Sequence, residues 1–197
     1  MSTLQVSLNS HAAEIKRLLR PALIFIALLW VIEVIDRLFF GGSLDYLGIR
    51  PRQLIGLRGI LFAPFLHGGF NHLLANSGPL LVLGLLVLLR HKRSFLLISI
   101  LIILISGLGT WLIGPSQSVH IGASGLIFGY FAFIVVNSWY ERSFPAVVLA
   151  ALVILLYGSI IWGVLPAGGN VSWQGHMFGL IGGVVAAYYV NLNGQVH

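Results

Sequence analysis

Along the chain, long apolar runs alternate with short polar breaks. From Pro21 to Phe40 the residues are mostly apolar, and further runs follow at about 73–89, 94–113, 124–140, 144–166 and 175–192. Each run is near the roughly 20 residues that an α-helix needs to cross a hydrocarbon core. The pattern predicts an all-α membrane protein with six transmembrane helices, the first with Pro21 in its opening turn, where a missing N–H is tolerated. The later breaks are short, so the helices should form one bundle without a domain boundary. The two halves show no internal repeat of the kind many transporters carry. The expected organisation is an N-terminal segment over 1–20, a six-helix core over 21–193 and a tail over 194–197.

The first run ends in polar residues. Glu33, Asp36 and Arg37 interrupt it, and no small-x-small cleavage site follows, so an uncleaved helix is expected rather than a signal peptide. Glu33 and Arg37 stand four apart and should pair on one helix face. Residues 41–71 then form a long loop containing Asp45, Arg50, Arg52 and Arg58. Its apolar stretches Leu54–Leu57 and Ile60–Leu66 are too short to span and fit segments lying at the bilayer interface.

Composition supports the membrane assignment. Of 197 residues, 58% are hydrophobic and 8% charged, against about 25% charged in soluble domains. The 24 glycines suit close helix packing in lipid, and the absence of cysteine excludes a disulfide framework and a thiolate nucleophile. A net charge of +6 does not point to nucleic acid, because no soluble basic domain carries it. The basic residues act instead as topology signals. Lys16, Arg17, Arg20, Arg90, Lys92, Arg93 and Arg142, seven of the eleven, fall on one side, which the positive-inside rule makes cytoplasmic. The other four, Arg37, Arg50, Arg52 and Arg58, surround the long loop. Both termini are expected in the cytoplasm and the long first loop outside, as in a multi-pass protein of a bacterial inner membrane.

Polar groups at the edge of a lipid-embedded helix are costly and need a reason. Three stretches stand out: His67-Gly68-Gly69-Phe70-Asn71-His72 with Asn76, then Gly122-Ala123-Ser124-Gly125, then Gly175-His176-Met177-Phe178-Gly179. Ser124 to Tyr140 spans roughly 24 Å of helix, and His176 to Asn191 roughly 22 Å, at about 1.5 Å per residue. Serine and histidine thus lie at similar depth on parallel helices. Gly125 and Gly129, with Gly175, Gly179 and Gly183, form small-residue stripes that let those helices approach. His176 projects over Gly179 and Gly183, and Phe128, one turn below Ser124, can support its ring. A serine at a helix start also has unpaired N–H groups beside it, ready for an oxyanion. His72 and Asn76 share a face and can donate to the same oxygen.

Taken singly, each stretch has a plainer explanation in helix packing or capping. His67 can simply brace the loop, and His120 is expected to face solvent. His11, His91 and His197 lie in polar loops or termini and suggest nothing. Other intramembrane chemistries lack their residues. There is no His-Glu-x-x-His for zinc, and Asp36 and Asp45 lie at the first helix end and its loop rather than as an embedded pair.

Together the motifs resemble the rhomboid family of intramembrane serine proteases over about residues 21–193. The resemblance rests on His67, His72 and Asn76 in a His-x4-His-x3-Asn pattern, on Gly122-Ala123-Ser124-Gly125, and on His176 with Gly179 and Gly183. It implies a six-helix bundle in which Ser124 and His176 form a catalytic dyad, with His72, Asn76 and the Ser124 N–H as oxyanion hole. It also implies transmembrane protein substrates met within the lipid bilayer, and no metal or organic cofactor. Two positions depart from the family. Phe128 replaces a frequent tyrosine, and Leu57-Arg58 stands near a frequent Trp-Arg. Two rivals are a non-cleaving relative that binds membrane clients and a small channel or transporter; the first would lack a dyad member, the second would show a repeat.

Overall fold

The computed structural model describes residues 3–166 and 171–194. Residues 1–2, the stretch 167–170 within the loop before the last helix, and 195–197 of the expected tail lie outside the described residues. Helix α1 covers Thr3–Ile35 and continues as a π-helical turn, Asp36–Phe40. It does not begin at Pro21, as the apolar pattern suggested, but runs through it. A proline inside a helix removes one backbone donor, and Pro21 is exposed, where that loss is tolerated.

The long loop is built of short helical turns at Ser43–Leu47, Leu54–Arg58, Gly59–Phe62 (α2) and Ala63–Phe65. Leu54, Leu61 and Phe62 face outward, while Ile49, Ile60 and Ala63 pack inward against Ile103 and Trp111. Arg37 ties the loop to α1: it meets Glu33 at 2.8 Å and Asp45 at 3.4 Å, and donates to the carbonyl of His67 at 3.4 Å. Burial, then the charge of Asp36, pushes the Asp45 carboxyl up to about 6.

Five helices complete the bundle: α3 Phe70–Arg90, α4 Phe95–Ile113, α5 Ser124–Glu141, α6 Phe144–Tyr157 and α7 Trp173–Leu192. A 3-10 segment, Gly158–Val164, prolongs α6. Among the described residues, α3, α4, the prolonged α6 and α7 are long and apolar enough to cross a membrane, and the chain is an all-helical integral membrane protein. Helix α5 falls outside that group by composition, being only 18 residues long and ending in Asn137, Ser138, Tyr140 and Glu141. It packs against α7, α4, α3 and α6 and buries Leu126, Ile127, Phe128, Tyr130, Phe131 and Phe133. A helix enclosed in this way can carry less hydrophobicity and still sit in the middle of the bundle.

Glycines set the α5–α7 distance. A Cβ at Gly183 would lie 2.1 Å from the carbonyl oxygen of Gly129, so only a bare backbone fits there. Far from the starts of α3, α5 and α7, polar groups join the opposite ends of those helices. Asn137 meets His91 at 3.2 Å and accepts from Asn191 at 2.9 Å, and Arg90 pairs with Glu141. His91, which the sequence offered no use for, is thus a buried interhelical contact.

Candidate active site

The starts of α3, α5 and α7 meet at the end of the bundle covered by the first loop. Ser124 is the first residue of α5 and His176 the fourth of α7. Their side chains touch: Nε2 of His176 lies 2.8 Å from Oγ of Ser124. The other ring nitrogen, Nδ1, lies 2.9 Å from the carbonyl oxygen of Gly163, in the 3-10 segment after α6. A carbonyl only accepts, so Nδ1 carries the proton. In a neutral imidazole, Nε2 is then bare and faces the serine hydroxyl. Phe128 lies parallel beneath the ring, centroids 4.1 Å apart and planes 8° from parallel. The position that lacks the tyrosine hydroxyl keeps the flat support.

The turn before Ser124 is held from both sides. Gly122 has φ +111°, a region that side chains rarely adopt, and its N–H donates to Ala63 O at 2.8 Å. Ala123, at the N-cap of α5, has no side chain able to cap the helix, which leaves its first N–H groups to face the serine. Above Gly122, a Cβ would come within 2.9 Å of His72 Nε2 and 3.7 Å of Asn76 Nδ2. The two donors therefore converge on a point two residues before Ser124. The Gly68 N–H donates to Nδ1 of His72 at 3.4 Å, which leaves the His72 proton on Nε2, facing that point. Nδ2 of Asn76 is buried without a hydrogen-bond partner among the described residues. A buried donor left open costs free energy unless something fills its place, and a developing oxyanion is the right chemical type.

His67 stands behind this pair. Its ring meets His72 edge-on at 5.2 Å and is fully buried. Burial, then the neighbouring His72, pushes its pKa down to about 4, so it stays neutral at neutral pH. Gly125 and Gly179 lie on the α5–α7 seam one residue after Ser124 and three after His176.

Three features escaped the sequence. His120 is not solvent-facing but buried, bonded through both ring nitrogens. Its neighbours are polar, and burying a polar ring is tolerated when each nitrogen finds a partner. Gly163 acts through a backbone carbonyl, which no side-chain pattern reveals. Ser172 caps α7, its hydroxyl accepting from Gly175 N at 3.3 Å; a serine just before a helix start is a readable signal for that role. Behind Ser124 lies a cavity of about 40 Å³, lined by Ser106, Thr110, His120 and Ser172 among others.

A model of the Rhomboid domain matches residues 55–193. An uncharacterised protein of Mycobacterium tuberculosis is 46% identical over 177 residues, covering 86% of this chain and 73% of the relative. A candidate rhomboid protease of Bacillus subtilis is 32% identical over 129 residues, 62% of each protein. RHOMBOID-like protein 5 of Arabidopsis thaliana is 32% identical over 166 residues, 78% of this chain and 51% of the plant protein. With the domain match spanning α3 to α7 and the later part of the loop before them, the chain belongs to the rhomboid family of intramembrane serine proteases.

Proposed function

We propose that this protein is an endopeptidase that cuts transmembrane protein substrates within the bilayer, with Ser124 as nucleophile and His176 as its base. The imidazole takes the serine proton as Oγ attacks the scissile carbonyl. Nε2–H of His72, the Asn76 amide and the N–H groups at the start of α5 hold the oxygen that becomes negative. His176 then protonates the leaving amine, and an acyl group remains on Ser124. Water activated by the same imidazole releases it. The cavity behind the serine is lined mainly by apolar groups such as Ile49, Ile60 and Ile103, but Ser106, Thr110 and Ser172 offer polar contacts and its volume has room for roughly two or three water molecules, which supports hydrolysis as the second step.

In this proposal α1 and α5 complete six spans. The N-terminus is cytoplasmic, the first loop is extracytoplasmic, and the membrane is a bacterial inner membrane. Substrates are then cut near their outer membrane entry, and segments that unwind easily are favoured, because the scissile backbone must leave its helix.

The observation that carries the proposal is the 2.8 Å approach of His176 Nε2 to Ser124 Oγ, with Nδ1 tied to a carbonyl. The test is turnover of a model transmembrane substrate and labelling by a fluorophosphonate. Ser124→Ala and His176→Ala should each abolish both while inserting and folding as wild type does. Appreciable turnover by purified Ser124→Ala protein would overturn it, and binding without cleavage by the wild type would favour a non-cleaving relative.

A further inference from the structure

His120 is given no proton transfer or oxyanion contact in the proposed chemistry, yet it is buried and occupies a connecting position. Its ring bridges two serines from different parts of the chain: Nε2 lies 2.7 Å from Ser118 Oγ, and Nδ1 lies 2.7 Å from Ser172 Oγ. The direction of each bond follows from its neighbours. Ser118 Oγ gives its only hydrogen to the carbonyl of Pro115, at 2.6 Å, so toward His120 it accepts. Nε2 therefore carries a proton. In a neutral ring Nδ1 is then bare, and Ser172 Oγ–H donates to it. Burial lowers the pKa of His120, which favours that neutral form.

Each end of this bridge leads to one member of the proposed pair. On one side, His120 exchanges two backbone bonds with Ile49, both 2.9 Å, and lies four residues before Ser124. On the other, Ser172 caps α7 through Gly175 N, and its carbonyl accepts from the backbone N–H of His176 itself at 3.2 Å. The ring is thus a polar strut between the loop that delivers the serine and the helix start that delivers the histidine. It is distinct from the glycine seam deeper along the same helices.

We propose that His120 is a positioning residue for Ser124 and His176: its imidazole fastens the loop before the serine to the cap of the helix carrying the histidine. The inference rests on the dyad reading above, and its test keeps the two apart. Fluorophosphonate labelling of the wild type that vanishes in Ser124→Ala establishes the nucleophile independently of His120.

With that in hand, His120→Leu, His120→Asn and His120→Gln are compared at equal amounts of folded, detergent-purified protein. Asparagine places an acceptor where Nδ1 stands and keeps the bond from Ser172. Glutamine reaches the place of Nε2 and keeps only the bond to Ser118. His120→Leu should lower kcat and the labelling rate about tenfold or more, with KM little changed, because the reacting atoms shift by a fraction of an ångström while the substrate surface is untouched. His120→Asn should recover much of that loss, and His120→Gln should not. Combining His120→Leu with Ser172→Ala should be no slower than the slower single variant, since both break one strut. A rise in KM at unchanged kcat, multiplicative losses in the double variant, or equal rates for Asn and Leu would each overturn the proposal. If the leucine variant fails to fold, Asn against Gln decides: glutamine as active as asparagine or more so overturns it.

Discussion

Gly179 lies directly against Gly125: a Cβ on the first would stand 2.4 Å from the carbonyl oxygen of the second. Real Cβ atoms do not come so near, and the obstacle is backbone, which cannot swing aside. The contact sits one residue after Ser124 and three after His176, so any widening of α5 from α7 there moves the two reacting groups apart. Gly179→Leu should insert normally but cleave at least about tenfold more slowly, with fluorophosphonate labelling reduced as well, since a misplacement of about 1 Å can cost on the order of 100-fold. Leu180→Ala, on another face of the same helix, is the control and should be much milder per folded molecule. Wild-type labelling and cleavage in Gly179→Leu would refute the seam as what sets the spacing.

The convergence of His72 and Asn76 above Gly122 leads to a second expectation. Where one donor acts alone, its loss costs roughly 2.7–4 kcal/mol of transition-state energy. Here the N–H groups opening α5 share the load, so His72→Ala and Asn76→Ala should each impair kcat without always eliminating it. The double variant should be worse than either single one. Cleavage at the normal rate by the double variant would show that the oxyanion is held elsewhere.

Much of this arrangement was legible because its determinants are side chains on regular helices. The period of 3.6 residues put His72 and Asn76 on one face, and equal helix lengths put Ser124 and His176 at one depth. The glycine stripes marked the side on which α5 and α7 approach. What escaped detection depends on irregular backbone. The Gly163 carbonyl that holds His176 lies in a 3-10 segment where sequence showed only an apolar run continuing to 166. His120 was expected to face solvent because loops usually run over surfaces. This loop is instead folded under the first one, paired with Ile49. Pro21 marked the start of the apolar run correctly, but a helix start and a change of environment leave the same mark in sequence.

No carboxylate partners His176 among the described contacts of its ring; Nδ1 is bonded to Gly163. The buried acids lie elsewhere, Glu33 on Arg37 and Asp36 accepting from Leu44 N at 3.0 Å. Glu33→Gln and Asp36→Asn, made together, keep the shape and the acceptors while removing the charge. Cleavage should persist once yield of folded protein is corrected for. A loss as deep as that of His176→Ala would reveal a third member that acts through charge.

If a backbone carbonyl does the work of that missing acid, the residue carrying it must keep its place. A Cβ at Gly163 would stand 2.9 Å from Cζ of Phe128 and 3.1 Å from Nδ1 of His176. Both neighbours are rings held in a stack, with little freedom to yield, so the 3-10 segment must move instead and take its carbonyl with it. The Nδ1–H then loses its fixed acceptor, and the tautomer that leaves Nε2 bare toward Ser124 is no longer enforced. Gly158 offers a control five residues earlier in the same segment, where a Cβ would meet only Ile154 Cγ2 at 3.5 Å, an ordinary contact. Gly163→Ala should therefore lower kcat and the rate of fluorophosphonate labelling on the order of tenfold, with KM little altered, because the ring shifts rather than the substrate surface. Gly158→Ala should stay close to wild type in both assays. Equal rates for the two variants would show that the Gly163 carbonyl does not orient the histidine.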